Sequence, residues 1–113
     1  MTRAADARDE LLTGFAAALR DQVRATDHAF RIGGDEFAVV LRGTDGGGAR
    51  RYVERVREQW GQLPSHPVEF SAGIAVIDGR GGHCALEAAD RALYDAKRSG
   101  GGTVTAPAPG LGA

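Results

Sequence analysis

The 113-residue chain has little of three things that mark specialised classes of protein: cysteine, long apolar runs and net charge. Cys84 is the single cysteine, so no internal disulfide can form and a reducing cytoplasm is the expected location. No apolar run approaches the length of a transmembrane helix, and the N-terminus has no signal-peptide core. A net charge of -1 gives no electrostatic case for binding nucleic acid or a membrane surface. Composition therefore predicts one ordinary soluble globular domain, 42% hydrophobic and without a membrane segment.

Glycine, by contrast, is abundant, with 17 residues. The stretch from Gly33 to Glu36 reads Gly-Gly-Asp-Glu and lies between two strand-like runs, Phe30 to Ile32 and Phe37 to Leu41. Two such runs joined through glycine and acidic residues predict a β-hairpin. Backbone without Cβ atoms lets a bulky anionic ligand approach closely, and two adjacent carboxylates can hold a divalent cation that binds phosphates. On these residues alone, a solvated acidic turn fits equally well.

Around the hairpin, apolar residues at helical spacing predict three helices. The first extends over roughly Ala4 to Arg24, and the third is marked by apolar positions from Leu86 to Ala96. Between them, the pair Thr44-Asp45 offers an N-terminal cap for a second helix, whose apolar stripe includes the expected core residue Trp60.

Strand signals occur at two further places. The segment from Val68 to Ile77 is apolar on both sides, which is typical of a buried central strand. After a loop from Asp78 to Cys84 and the third helix, Thr103 to Thr105 is a candidate short edge strand. The Pro/Gly/Ala residues from Ala106 to Ala113 are expected to be disordered.

Gly33 to Phe37 resemble the signature loop of the GGDEF family, the diguanylate cyclases that join two GTP molecules into cyclic di-GMP. Four further segments are similar to family motifs: the segment after a G-D dipeptide, an R-x-x-D site, an S-x-G-x-A strand and an A-D-x-A-L-Y-x-A-K helix. They are Asp9 to Leu12, Arg24 to Asp27, Ser71 to Ala75 and Ala89 to Lys97. The resemblance covers residues 9 to 105. It implies a palm-like α/β (α+β) fold of the nucleotide cyclases, with a central, mostly antiparallel sheet flanked by helices.

The family's first strand has no counterpart in this sequence. A full family member begins with D-x-D-x-F-K-x-x-N-D and continues with G-H-x-x-G-D, whereas this chain enters the pattern at Asp9, with Arg8 in place of the glycine. The resemblance thus implies that a central strand is missing, together with its metal-binding aspartate and its guanine-reading asparagine. We expect a truncated GGDEF domain over residues 1–105, followed by the tail 106–113. Unpaired sheet edges would favour a homodimer or a strand-exchanged oligomer.

For the hairpin loop, the resemblance implies the chemistry of phosphoryl transfer. Gly33 and Gly34 would line the phosphate path, and Asp35 and Glu36 would be the catalytic acids. The same two carboxylates would be ligands of Mg2+ (or Mn2+), of which the family holds two ions per site. Two carboxylates alone make a weak, open Mg2+ site.

Outside the loop, the resemblance assigns two more substrate-binding residues. Asp9 matches the aspartate that binds guanine, although it can also be an acidic residue that the dipole favours at a helix N-terminus. Lys97 matches the lysine that contacts the triphosphate, and it is equally a favourable cation near a helix C-terminus. For Lys97, both descriptions can hold at once.

The R-x-x-D segment resembles the family's inhibitory site, which binds a stacked dimer of cyclic di-GMP. Arg24 would fork onto phosphate or guanine, Asp27 would read guanine, and Arg55 would be the additional arginine of that site. The alternative is a pair of charges at a helix end with little energetic value.

Three functions therefore stay open. The first is a diguanylate cyclase domain, working as a homodimer because each half-site holds one GTP, with activity impaired or absent in residues 1–113 as written. The second is a non-catalytic module that binds cyclic di-GMP through the R-x-x-D site. The third is an inactive fragment of a longer cyclase.

Overall fold

The computed structural model describes residues 4–62 and 70–106, with side chains from Asp9 onward. In chain order these residues form α1 (Ala4–Asp21), β1 (His28–Gly33), β2 (Glu36–Val40), α2 (Gly46–Gly61), β3 (Ser71–Ile74), α3 (Gly82–Arg98) and β4 (Gly102–Thr105). The described strands make two two-stranded sheets, β1 with β2 antiparallel and β3 with β4 parallel. The mixed α/β class is confirmed, as are the three helices, the hairpin and the short strand near the C-terminus. None of the described helices has the length and apolarity needed to cross a bilayer.

By their internal contacts, the described residues divide into two compact units. The first contains residues 4–43 and 55–62, which are α1, the β1–β2 hairpin and the C-terminal part of α2. The second contains residues 44–54 and 70–106, which are the N-terminal part of α2 with β3, α3 and β4.

An aromatic cluster forms the centre of the first unit. The Phe15 ring of α1 meets the ring of Phe37 edge-on at 5.5 Å and the ring of Trp60 at 5.1 Å. Leu19 and Val56 are buried beside it, with Val56 only 1% exposed. The prediction that Trp60 belongs to the core is confirmed. Because Phe37 directly follows Glu36 on β2, this cluster fixes the strand that begins with this acidic residue.

Close contact between β3 and α3 organises the second unit. A Cβ atom on Gly73 would lie 2.9 Å from the Cα of Leu93 and closer still to the backbone of Ala89, so only glycine fits here. Ile74 of β3 and Ala96 of α3 are buried at this contact. The glycine of the S-x-G-x-A segment therefore has a packing role: it lets the helix backbone approach the strand.

The second helix begins as the sequence predicts. The Oδ1 atom of Asp45 accepts a hydrogen bond of 2.8 Å from the backbone N–H of Gly48, which is N-terminal capping. This N–H is the main cause that holds the pKa of the Asp45 carboxyl below its usual value. Further along α2, Arg50 donates to the hydroxyl of Thr105 at 3.0 Å and so connects the helix to β4.

Three predicted boundaries differ from the structure. The first helix ends at Asp21, before Arg24, because the following residues form a turn of their own. The third strand is limited to Ser71–Ile74, since its partner β4 pairs with only these residues, and Val76 and Ile77 are 47% and 54% exposed. The expectation that those two side chains are buried is wrong.

The third helix starts at Gly82, so the predicted loop from Asp78 to Cys84 is shorter than expected. Within it, the Asp78 carboxylate accepts hydrogen bonds from Arg80, including one from its backbone N–H at 2.9 Å, and closes a turn directly before the helix. The first residues of the predicted third strand, 68 and 69, lie outside the described residues, and so does the predicted tail from residue 107 onward.

Candidate functional site

The hairpin loop is a tight turn centred on two residues. Gly33 pairs with Glu36 across the strands, which leaves Gly34 and Asp35 as the loop. Gly34 has a φ of 53°, the left-handed region that glycine tolerates best. Type II′ hairpin turns place a glycine at this first loop position. The pairing is irregular between Arg31 and Gly33, so the chain bends as it enters the loop.

An arginine on β1 holds this loop in shape. The Nε atom of Arg31 donates to the carbonyl oxygen of Gly34 at 2.8 Å, and its Nη2 atom donates to the same oxygen. The sequence motifs assign no role to Arg31. Its position three residues before Gly34, on the strand that enters the turn, is the signal that could have indicated it.

Gly33 differs from the other glycines of the motifs because nothing in the described structure requires it. Its φ is not in the left-handed region, and a Cβ atom on it would meet no heavy atom within 4 Å. Gly73, by contrast, is required by its contact with α3. The backbone at Gly33 is thus open on the side where a side chain would stand.

The two carboxylates of the loop differ in their surroundings. Asp35 is exposed and Glu36 is partly buried at the start of β2. Their oxygen atoms are the donors that Mg2+ prefers, and they can supply part of its octahedral shell. Within the described residues, no group of three or more His, Cys, Asp or Glu side chains is arranged to hold a metal ion.

Asp9 lines a cleft of about 490 Å³ within the first unit, between α1 and the hairpin. Phe30 and Phe37 contribute aromatic walls, while Arg20 and Arg31 contribute cations. Aromatic walls with one carboxylate suit a planar base that donates hydrogen bonds. The structure thus brings Asp9 together with the arginine that shapes the loop, although none of the four residues from Gly33 to Glu36 lines this cleft.

Lys97 lines a separate cleft of about 320 Å³ within the second unit. Its other walls come from the start of β3 and from the glycines after α3, at Ser71, Gly100 and Gly101. Lys97 and Asp9 therefore line different clefts.

The R-x-x-D segment forms a bonded turn between α1 and β1. The Asp27 side chain is 2% exposed, whereas that of Arg24 is 62% exposed. Oδ1 of Asp27 accepts from the backbone N–H of Arg42 at 2.9 Å, and Oδ2 accepts from the backbone N–H of Arg24 at 3.0 Å and from its Nε at 3.4 Å. These bonds, that from Arg42 foremost, hold the pKa of the Asp27 carboxyl below its usual value.

The third residue assigned to that site lies elsewhere on the first unit. Arg55 is exposed on α2, and no hydrogen bond joins it to Arg24 or Asp27 in the described part of the chain. The residue that does contact the turn is Arg42, whose carbonyl oxygen also accepts from Nη2 of Arg24. Sequence reasoning missed Arg42 because its contacts are made by its backbone, which leaves no trace in side-chain type.

The chain is similar to proteins of known class along most of its length. A family model described as "Diguanylate cyclase, GGDEF domain" matches residues 5–103. Diguanylate cyclase DgcP of Pseudomonas aeruginosa is 38% identical over 101 residues, covering 83% of this chain and 15% of that protein. The response regulator PleD of Caulobacter vibrioides is 35% identical, covering 91% of this chain and 25% of that protein. The chain thus spans a quarter or less of the length of these two curated relatives.

Solved structures agree with the sequence comparison. The GGDEF domain of YfiN (TpbB) from Pseudomonas aeruginosa superposes with a TM-score of 0.75 at 31% identity, covering 88% of this chain and 68% of that one. The GGDEF domain of DgcB from Caulobacter crescentus, solved in complex with c-di-GMP, has a TM-score of 0.68 at 19% identity, which shows a shared fold. It covers 87% of this chain and 64% of that one. With the family model matching residues 5–103 of 113, the chain belongs to the GGDEF family of diguanylate cyclase domains.

Proposed function

We propose that the chain carries one half of the GTP site of a diguanylate cyclase, built on the hairpin loop from Gly33 to Glu36. In the family reaction, the 3′-hydroxyl of one GTP attacks the α-phosphate of another and pyrophosphate leaves. Residues 1–113 alone would bind GTP weakly and form little or no cyclic di-GMP, because the ligands of the missing first strand are not among them.

The observation that carries this proposal is the open backbone at Gly33. Neither turn geometry nor packing requires a glycine at this position. A glycine loses more conformational entropy on folding than other residues, so its presence here destabilises the fold without improving the packing. A phosphate group close to the backbone provides a reason for it, since a side chain there would stand in the way. Gly34 and the Arg31 bond to it then fix the shape of the loop around the phosphate.

Asp35 and Glu36 would hold the divalent cation, Mg2+ or Mn2+, on which family cyclases generally depend. When bound, the cation neutralises phosphate charge and aligns the reacting groups. The contribution of this chain is an exposed carboxylate in the turn, that of Asp35, and a partly buried one at the start of β2, that of Glu36. By resemblance to the family, Asp35 would also be the candidate proton acceptor.

By resemblance to the family, Asp9 would contact the guanine base and Lys97 would contact the triphosphate. The aromatic walls beside Asp9 suit the guanine base, and the carboxylate would accept its N–H groups. Lys97, at the end of α3 and beside two glycines, would contact the triphosphate. Because each domain holds one GTP, a homodimer is the working unit that we propose, with the two sites facing each other.

Nucleotide binding by glycine variants tests the loop directly. Gly33→Ala should weaken GTP binding in the presence of Mg2+ at least about tenfold, while leaving the thermal midpoint unchanged or slightly higher. Gly61→Ala is the matched control, since a Cβ at the end of α2 also meets no heavy atom within 4 Å. Unchanged GTP affinity in the Gly33 variant would contradict the phosphate-binding role.

Lys97→Gln tests the triphosphate contact in the same assay. It should weaken GTP binding but leave guanosine binding unaltered, because only the phosphates are contacted. Arg91→Gln removes another exposed cation from α3 and should change neither. Equal effects of the two variants would mean that Lys97 acts only through general charge.

A second candidate function is binding of cyclic di-GMP at the turn between α1 and β1. The specific observation that favours it is the orientation of Arg24, whose side chain is mostly exposed while its backbone is fixed by the buried Asp27. Titration of the folded chain with cyclic di-GMP tests it, and saturable binding that Arg24→Gln removes is the expected result.

A further inference from the structure

We propose that the cleft between α1 and the hairpin also holds a guanine nucleoside monophosphate, with its base at Asp9, its ribose at Thr13 and its phosphate at Arg20. The inference rests on the proposed contact between Asp9 and the guanine base of GTP, and it adds a second occupant to that cleft. Because both nucleotides need Asp9, the monophosphate would compete with GTP and limit the access of the substrate.

One face of α1 supplies a whole wall of the cleft. Four of its lining residues follow one another at intervals of four, three and four positions: Asp9, Thr13, Ala16 and Arg20. Residues at this spacing lie in a row along one side of a helix. A carboxylate, a hydroxyl, a methyl group and a guanidinium therefore succeed one another along the cleft. This is the order in which a nucleotide presents its base, its ribose and its phosphate.

The length of this row suits a nucleotide with a single phosphate. Asp9 and Arg20 are eleven residues apart in α1, so their Cα atoms are separated by about 16 Å. Long side chains on a helix lean toward its N-terminus, which brings an arginine head group back by up to one turn, about 5 Å. The remaining distance is comparable with that from the base edge of a nucleoside monophosphate to its phosphate. The cleft volume of about 490 Å³ is also in the ordinary range of small-molecule sites.

Arg20 is the cation of the cleft whose side chain has no hydrogen bond or ion pair among the described residues. The residue is exposed, so its guanidinium is accessible. Arg31, the other arginine in the lining, already donates from Nε and Nη2 to the carbonyl oxygen of Gly34. A guanidinium with all of its N–H groups available binds a phosphate through paired hydrogen bonds. The phosphate is therefore assigned to Arg20.

The base and the ribose have contacts of their own. Within the described part of the chain, neither Asp9 nor Thr13 has a side-chain hydrogen bond, so a carboxylate and a hydroxyl are available to a ligand. The half-exposed ring of Phe30 lies in the same lining and offers a face on which the base can stack. Since the loop from Gly33 to Glu36 lines no part of the cleft, a phosphate held at Arg20 is kept out of the loop. The bound monophosphate is thus an inhibitor and not a substrate.

Calorimetric titration of the 113-residue chain with guanosine and with guanosine 5′-monophosphate, both without a divalent cation, tests the phosphate contact. The wild type should bind the monophosphate at least about tenfold more tightly, the effect of one charge-assisted contact. Arg20→Gln should bind both compounds equally and should bind guanosine as the wild type does. Arg91→Gln, at an exposed arginine of α3 outside the cleft, is the matched control and should keep the full preference. A preference that survives in Arg20→Gln overturns the proposal.

The ribose contact is tested with a nucleoside that lacks the ribose hydroxyls. The wild type should bind guanosine about threefold or more tightly than 2′,3′-dideoxyguanosine, the effect of one neutral hydrogen bond. Thr13→Val removes the hydroxyl and keeps a side chain of similar shape, so it should abolish this difference. Equal affinities of the wild type for the two nucleosides, or a difference that persists in Thr13→Val, would overturn the ribose contact.

Competition with GTP separates this inference from the function on which it rests. A fixed concentration of guanosine 5′-monophosphate should lower the apparent affinity of the wild type for GTP and Mg2+, and it should lower that of Arg20→Gln much less. If GTP binding depends on Gly33 but does not respond to the monophosphate, the second occupant is overturned while the proposed function stands. If the folded chain binds neither GTP nor guanosine, both are overturned.

Discussion

The carboxylate of Asp27 accepts a hydrogen bond of 2.9 Å from the backbone N–H of Arg42, fifteen residues along the chain. Asp27 lies just before β1 and Arg42 just after β2, so the bond joins the two strands where the chain enters and leaves the hairpin. This bond closes the base of the hairpin, and the bond from Arg31 to the carbonyl of Gly34 shapes its tip. The hairpin is therefore held at its base by Asp27 and at its tip by Arg31, two residues outside the Gly-Gly-Asp-Glu motif.

The hydrogen bond to Asp27 predicts a loss of stability in acid. The pKa of the Asp27 carboxyl is lowered in the folded chain, mainly by the N–H of Arg42. The ionised carboxylate therefore stabilises the fold at pH values above 3.8, the pKa of this group in the unfolded chain. That stabilisation is lost as the pH falls through the lower pKa of the folded state. Denaturant unfolding between roughly pH 6 and pH 2 should show a smaller fall in midpoint for Asp27→Asn than for the wild type.

The same experiment has an internal comparison. Asp45 caps α2 and its pKa is also lowered, chiefly by the N–H of Gly48, so Asp45→Asn should likewise reduce the fall in midpoint. The pH dependence of the double variant should be flatter than that of either single variant, because the two carboxylates accept hydrogen bonds from different backbone N–H groups. An Asp27 variant with the full acid dependence of the wild type would show that its hydrogen bonds do not form in solution.

The aromatic cluster predicts which phenylalanine matters for stability. Phe15 contacts Phe37 and Trp60, whereas Phe30 is 50% exposed. Phe15→Ala should lower the free energy of unfolding by about 3 kcal/mol, and Phe30→Ala by about 0.5 kcal/mol. Equal losses in the two variants, measured by denaturant titration, would contradict the packing of the first unit.

The close contact between β3 and α3 predicts a strong effect of one added methyl group. Gly73→Ala places a Cβ against the backbone of Ala89 and Leu93, neither of which can move without shifting a whole helix. We expect a loss of about 2 kcal/mol, from overpacking. Gly61→Ala has open space and should be neutral or slightly stabilising. Thermal unfolding followed by circular dichroism checks both.

Self-association follows from the proposed homodimer and from the strand β2. Among the described residues, β2 pairs only with β1, and its sequence from Glu36 to Val40 is apolar after the first residue. An apolar strand edge is a template for pairing with another chain. Size-exclusion chromatography with light scattering should give a mass above that of one chain, rising with concentration. A stable monomer with sharp thermal unfolding would contradict it.

Much of the fold follows from local sequence signals. The hairpin, the capping by Asp45 and the buried Trp60 were predictable, because turn chemistry and periodicity are properties of neighbouring residues. The length of β3 could not be predicted from such local signals. Val76 and Ile77 continue its apolar pattern but stay exposed, since the partner strand β4 ends opposite Ile74.

The candidate site, like the fold, was predictable from the sequence only in part. Motif resemblance indicated Gly33, Asp35 and Asp27, which are chemically distinctive residues at family-like spacing. It could not indicate that the buried carboxylate of Asp27 accepts hydrogen bonds from two backbone N–H groups, because one of these groups belongs to Arg42, fifteen residues along the chain. A contact of this kind depends on the backbone path of the whole hairpin, and any residue except proline could supply the N–H.

Adding the family's first strand ahead of Asp9 tests the central proposal, that the hairpin supplies one half of a GTP site and needs ligands from outside residues 1–113. The measurement is cyclic di-GMP formed from GTP and Mg2+ by a chimera, in which the preceding segment of the DgcP GGDEF domain is fused ahead of Asp9. Product that depends on Asp35, absent in Asp35→Ala and from the 113-residue chain alone, is the expected result. A folded chimera without product, or Asp35-dependent turnover by the 113-residue chain itself, would contradict the account.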